Sequence, residues 1–132
     1  QTGIDWVAKR DDWIEAVEKL FDTIDEEYLA AVKDSVQVDR THLKSVQEPQ
    51  IGEYKSAELA LTVGDEQVVF SPKGVNVIGA AGRVDVRGDR GEATLVRNAD
   101  RSWSLVLART PRLQLVPLTD ETFLEMLRSV MR

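Results

Sequence analysis

GAAGRVDVRGDRGEATLV, residues 79–96, is the stretch that decides the fold. Val84 and Val86 alternate with Arg83, Asp85 and Arg87. Gly88-Asp89-Arg90-Gly91 then turns the chain, and Ala93 and Leu95 alternate with Glu92 and Thr94. A period of two marks a half-buried strand, so two such runs around a glycine-bounded turn predict a β-hairpin. Before it, Gly79-Ala80-Ala81-Gly82 offers little side chain to pack and predicts a bulge or bend. That glycine run is no phosphate loop or dinucleotide fingerprint, because neither a Lys-Ser/Thr pair nor a helix start follows it.

Further strands flank the hairpin in sequence. Upstream, Leu59, Leu61 and Val63 alternate with Glu58, Ala60 and Thr62, and Gly64-Asp65 predicts a two-residue turn. Val68 and Phe70 return, Ser71-Pro72-Lys73-Gly74 reads as a second turn, and Val75–Ile78 reads as another strand. Downstream, Asn98-Ala99-Asp100 lies in a polar loop. Trp103, Leu105 and Leu107 then alternate with Ser104, Val106 and Ala108, and Thr110-Pro111 separates them from Leu113 and Leu115. Several strands carry apolar residues on both parities: Val69 beside Phe70, Ile78 beside Val77, Val96 beside Leu95, Val106 beside Leu105. That pattern argues for a sheet covered on more than one side, hence a curved sheet or partial barrel.

A helix is expected at each end. Over residues 11–33, Trp13, Val17, Leu20, Phe21, Ile24, Tyr28 and Ala31 fall on one helical stripe, with Asp11 or Asp12 suited to the first turn. Residues 1–10 read as a lead-in arm. Thr119 caps a helix over 119–131 that carries Phe123, Leu124, Leu127, Val130 and Met131, with Leu118 and Phe123 at the spacing of a hydrophobic staple. Residues 34–52 read as a short edge segment followed by a loop around Pro49 and Gly52. The expectation is one α+β domain: an N-terminal helix, a strongly curved antiparallel sheet or partial barrel of about six strands over 54–116, and a C-terminal helix packed on it. Trp13, Leu20, Phe21, Leu61, Val84, Leu95, Leu105 and Leu127 are the expected core.

Composition bounds the function. A chain of 132 residues is long enough for a core without disulfides or metal. It has no cysteine, which excludes thiol catalysis and thiolate metal sites and fits a reducing compartment, here the cytoplasm. No apolar run approaches the ~20 residues of a membrane helix, and no signal-peptide pattern opens the chain, so no membrane is expected. The first residue is Gln1 rather than methionine, as expected of a processed chain or a segment of a longer one. The net charge of −6 is unevenly spread: residues 1–66 carry 16 acids and 7 bases, while residues 83–116 carry 7 arginines and 4 acids. The acidic balance argues against nucleic acid, although an arginine-rich middle leaves that reading as a second alternative through Arg83, Arg87, Arg97, Arg101, Arg109 and Arg112.

No residue set spells out a reaction. His42 is the single histidine, and no nucleophile elbow accompanies it. The acids Asp22, Asp25, Glu26 and Glu27 lack the spacing and glycine of a calcium loop. Arg87-Gly88-Asp89 matches the adhesion tripeptide, but three residues recur often by chance and a glycine-centred turn accounts for them. No catalytic residue, cofactor or metal is therefore assigned. The patterns RDDWIEAVEKL (10–20), IGEYKSAELALTVGDEQVVFSP (51–72), GAAGRVDV (79–86) and PRLQLVPLTDETFLEMLRSVM (111–131) together resemble a small bacterial domain family of unassigned function. The resemblance covers most of the chain and implies no activity.

The function expected is that of a non-enzymatic protein-binding domain, of accessory, inhibitor or immunity type. Its candidate contacts are the acidic helix face (Glu15, Glu18, Asp22) and an arginine patch (Arg83, Asp85, Arg87, Arg97), since complementary charge steers association. The bland account of both is a solvated helix face and a charge ladder guarding a strand. The alternative is a small enzyme or ligand binder with a pocket inside the curved sheet, using Tyr54, Asp85 and His42.

Overall fold

A computed structural model describes residues 5–75 and 81–131. Helix α1 spans Trp6–Thr23 and continues through a π turn at Ile24–Tyr28 into 3₁₀ turns at Ala30–Ser35. Among the described residues nine strands follow: β1 Gln37–Asp39, β2 Leu43–Glu48, β3 Gly52–Ala57, β4 Leu59–Val63, β5 Glu66–Gly74, β6 Gly82–Arg87, β7 Glu92–Arg97, β8 Trp103–Ala108 and β9 Gln114–Pro117. Helix α2, Asp120–Val130, ends the fold. Seven strands form one antiparallel sheet in the order β1-β4-β5-β6-β7-β8-β9, and β2 and β3 form a separate hairpin. The protein is therefore α+β, with a helix at each end and an antiparallel sheet between them.

Helix α1 starts at Trp6 because Asp5 caps it, its carboxylate accepting the Ala8 N–H at 3.0 Å. The lead-in arm thus belongs to the helix from Trp6 onward, and Asp11 and Asp12 lie inside it rather than at its cap. The expected stripe holds through Trp13, Val17, Leu20, Phe21 and Ile24, all buried. There the π turn adds a residue, seen in the Leu29 N–H donating to the Ile24 carbonyl, five residues back, at 3.0 Å. The extra residue shifts the phase, so that Leu29 takes the core position expected of Tyr28. Tyr28 moves to the margin, where its hydroxyl donates to the Leu118 carbonyl at 3.2 Å, and Ala31 is exposed.

The main core cluster lies on one face of the sheet. Register aligns Leu59, Phe70, Val86 and Ala93 in one row, and Pro72, Val84, Leu95, Leu105 and Val116 in another. Both helices pack on these rows, and every expected core residue is buried. Phe123 of α2 stacks on Phe70 at 5.8 Å and meets Tyr28 at 5.4 Å. Thr119 and Thr122 cap α2 reciprocally, the N–H of each donating to the other's hydroxyl, while Leu118 and Phe123 on either side are buried. At the far corner Trp13 meets Trp103 at 5.9 Å and lies so close over Gly82 that a Cβ there would overlap its ring. Arg97 shares this inner face opposite Gly82 and Trp103. It is almost fully buried and donates to Asp12 of α1 at 2.9 Å, with Arg101 adding a bond at 3.2 Å.

Three expectations are corrected. The sheet is neither strongly curved nor a partial barrel: β1 and β9 lie at opposite ends of a linear order, and the helices cover one face only. The apolar residues of the second parity sit instead on the uncovered outer face, where Val69 and Val106 are half-buried and Val96 is buried. Ser71-Pro72-Lys73-Gly74 does not turn the chain; it extends β5 through an irregularity between Pro72 and Gly74. Residues 43–48, read as loop, pair with β3 as a hairpin whose inner positions (Val46, Glu48, Tyr54, Ser56) are buried. Of the strand expected at Val75–Ile78 only Val75 is among the described residues, and of the Gly79–Gly82 bend only Ala81 and Gly82.

Two predictions follow from the Trp13 corner. Gly82→Ala forces the added methyl into the indole and is expected to cost about 1–3 kcal/mol in denaturant unfolding, as an overpacked core does. A neutral substitution would mean that Trp13 yields freely. The Arg97 and Arg101 bonds hold the Asp12 carboxyl below its usual pKa of 3.8, Arg97 being the larger influence and partial burial opposing. A depressed carboxylate contributes stability that is complete above the unfolded value and lost as pH falls through the folded one. Asp12→Asn should therefore lower stability near neutrality and flatten the acid limb of the stability–pH profile below about pH 4. Parallel acid limbs in the two proteins would refute the pairing.

Candidate functional site

The outer face of the sheet, which neither helix covers, is open to ligands. Its central rows read Ala60, Val69, Arg87, Glu92 and Ser71, Asp85, Thr94 across β4 to β7. Arg83, Asp85 and Arg87 share this face, as their alternation predicts. Arg83 Nε meets Asp85 Oδ1 at 2.8 Å along the strand, and Arg87 meets Glu92 at 3.0 Å across to β7. Arg97 does not join them. It follows Leu95 by two residues, so it takes the inner face with Leu95 and pins α1 instead.

The acidic helix face is largely engaged from within. Arg40, just after β1, meets Asp22 at 2.7 Å and the Glu18 carboxylate at 3.8 Å, and its guanidinium stands 5.8 Å from the Phe21 ring centre. Glu15 faces Lys19 at 3.8 Å on the same helix. These exposed pairs contribute little to stability but reduce the net field of the face.

The β2–β3 hairpin overhangs the end of β5 and forms one wall of a cleft on the outer face. The cleft measures about 370 Å³ and is lined by Lys44, Val69, Ser71, Lys73, Asp85, Val86, Arg87 and Glu92. Its wall is anchored by Glu48, a buried carboxylate on the hairpin's inner side. Glu48 accepts the Val75 N–H at 2.9 Å and the Tyr54 hydroxyl. It lies against Gly74, whose φ of 120° and lack of a side chain make room for it. Burial, and then the Glu48 carboxylate, push the Tyr54 phenol above its usual range. Tyr54 is therefore held as a donor and serves the anchor, not proton abstraction.

The other polar residues do not assemble a reaction centre. The Ser71 hydroxyl donates to Glu58, and His42 Nε2 stands 3.6 Å from the other Glu58 oxygen. The carboxylate thus sits between hydroxyl and imidazole. In a nucleophilic triad the imidazole must sit between them to take the hydroxyl proton, so this order cannot activate Ser71. Tyr54, Asp85 and His42 occupy the hairpin seam, the outer face and the position before β2 respectively, each with a different partner. Among the described residues no three His, Asp or Glu side chains converge as metal ligands. Among the described residues no helix is long and apolar enough to cross a membrane. Gly88-Asp89-Arg90-Gly91 is not a free projecting tip: the Arg90 N–H donates to the Val130 carbonyl of α2 at 2.9 Å.

A second open surface lies at the β8–β9 edge. Leu107, Leu113 and Leu115 are 62%, 48% and 41% exposed. Leu107 is the unpaired residue of an irregularity between Val106 and Ala108. The Leu118 N–H donates to the Trp103 carbonyl, so by period two Val116 faces β8 and the Leu115 backbone groups face outward. Pro117 has no N–H to offer. Neither this corner nor the lysines of the cleft are in the sequence-derived site. Lys44 fell in a segment read as loop and Lys73 in a supposed turn, so no strand register related them.

Comparison of the chain with protein-family models, curated proteins and solved structures gives no match.

Removing the Tyr54 hydroxyl tests the anchor. Tyr54→Phe is expected to cost about 1.5–3 kcal/mol, the range for a hydrogen bond to a charged group, and to speed amide exchange across residues 43–57 more than across α2. Uniform exchange changes would mean that the hairpin is not hinged on Glu48.

Proposed function

We propose that this chain is a non-catalytic protein-binding domain that receives an extended segment of a partner along the β9 edge. The observation that carries the reading is the pair Leu113 and Leu115, both exposed at β9, whose outward edge has no partner strand among the described residues. Exposed apolar side chains grouped at one site are characteristic of interaction surfaces. A free edge offers backbone donors and acceptors that a partner strand can complete, while side-chain contacts choose the partner. Arg112, in no ion pair among the described residues, and Arg109, which donates to Thr94 at 2.9 Å, flank the strand's start. Their charge favours a partner segment with apolar residues in alternation and acids at the end that meets them. Pro117 limits the edge to a short pairing, which guards against open-ended association of copies.

An accessory, inhibitor or immunity-type protein acts in this manner, by occupying a partner rather than transforming it. The cysteine-free composition suits a reducing compartment, and the bacterial cytoplasm is part of this reading. The nucleic-acid alternative is less favoured: Arg83, Arg87, Arg97 and Arg101 are each paired with a carboxylate, and Arg97 faces the opposite side from Arg83 and Arg87.

The test begins with partners captured from cell extract and repeats their binding in purified form. The expected result is protection of the Leu113–Val116 amides on binding, with affinity lowered about tenfold or more by Leu115→Asp, as burial of a charge in an interface core requires. Full binding by both Leu113→Asp and Leu115→Asp would overturn the proposal. So would edge-to-edge dimers of the chain alone by light scattering, because a second copy would then be the occupant.

A further inference from the structure

The outer-face cleft carries a charge arrangement that none of the roles above explains. Lys44 reaches it from β2 and Lys73 from β5, so two ammonium groups borne by different sheets face one another. The acids of the cleft are engaged elsewhere: Asp85 by Arg83 at 2.8 Å and Glu92 by Arg87 at 3.0 Å. Neither lysine takes part in a salt bridge among the described residues. After those two pairs are formed, the lysines leave an uncompensated charge of two in a concave site, where walls of low polarisability concentrate the field. The crowding shows on Lys73, whose ammonium is held below the usual lysine range first by Lys44, then by burial, with Arg83 adding and Asp85 opposing.

We propose that this cleft is a binding site for a phosphate dianion, free or as a small phosphate monoester, held between Lys44 and Lys73. Charge count selects the class. A dianion compensates both ammoniums, whereas a carboxylate leaves one of them unpaired. Geometry agrees: each ammonium is a point charge with three rotatable donors, suited to the several oxygens of a tetrahedral anion. At about 370 Å³ the cleft falls within the range of small-molecule sites and has room for the organic part of an ester over Val69. Arg87 lines the same space, its guanidinium paired with Glu92. The Ser71 hydroxyl also lines it but already donates to Glu58. The site is on the opposite side of the sheet from the helices and does not depend on the β9 edge.

Titration of the full chain at low ionic strength and about pH 8, where phosphate is a dianion, tests the assignment. The probes are inorganic phosphate, phosphoserine, and acetate as the monoanion, followed through the lysine side-chain carbon resonances. Saturable shifts confined to Lys44 and Lys73 are expected with inorganic phosphate, with Lys73 titrating at higher pH when the anion is bound. Tighter binding of phosphoserine than of inorganic phosphate would identify the ester as the source, and the reverse would identify the free anion. Lys44→Met and Lys73→Met should each weaken binding roughly tenfold or more, while Lys19→Met on α1 leaves it unchanged. Both cleft lysines are at least partly exposed, so the variants are expected to fold. Absence of a saturable shift, equal binding of acetate and phosphate, or undiminished binding in both cleft variants would overturn the proposal.

Discussion

The seating of α1 on the sheet is the constraint on which the rest depends. Trp13 lies directly on Gly82, and the residue before it, Asp12, meets the buried Arg97. The two contacts need each other. The missing side chain at Gly82 lets the indole come down to the strand, and that approach shelters the guanidinium, whose charge then requires Asp12. Arg97 also keeps a buried Nε without a partner, so the carboxylate is its principal compensation. A buried ion pair is seldom a large net gain over an apolar pair, but breaking one side of it is costly. Its contribution here is to fix where α1 lies along β6 and β7, which the nonspecific attraction of Leu20, Phe21 and Ile24 for an apolar sheet would not do alone.

With both helices on one face, the other face is left to solvent, and the function of the molecule has to be sought there or at the edges. The outer face is not uniformly polar. Val69, Val96 and Val106 interrupt its charged rows. They supply an apolar floor beneath Arg83, Asp85, Arg87 and Glu92, and the long side chains of the arginines can lie along it. Apolar residues on both parities therefore have a cause other than closure of a barrel: an open face whose side chains cover one another.

The strand pattern, the two helices and the core were legible because each rests on local periodicity, and Trp13, Leu20, Phe21, Leu61, Val84, Leu95, Leu105 and Leu127 all fall where that periodicity puts them. What was not legible depends on contacts between distant segments. A π turn has no composition of its own, so the exchange of Tyr28 for Leu29 in the core could not be read. Residues 43–48 look polar because the hairpin's inner side includes Lys44 and Glu48, and the buried state of Glu48 depends on Val75, 27 residues away. Arg97 was misplaced for a different reason. Its parity with Leu95 was present in the sequence, but a charged residue two positions from a core leucine invites the outward reading, and only the Asp12 partner makes the inward one stable.

The Glu48 anchor joins stability to the candidate cleft. Lys44 has the same parity on β2 as Val46 and Glu48, so it faces the sheet only while that side of the hairpin is packed down. Packing two ammoniums toward one another is unfavourable, and nothing in Lys44 itself would draw the hairpin to β5. The hairpin is held by Val46 and Tyr54 in the core and by Glu48 against Gly74 and Val75. Those contacts oppose the repulsion and keep the lysines facing before any ligand arrives. An anion entering the cleft would meet donors already in place, so that less of its interaction is lost to ordering them. By the same reciprocity, an anion between the lysines would relieve the repulsion and hold the hairpin more firmly, coupling ligand binding to the stability of β2 and β3.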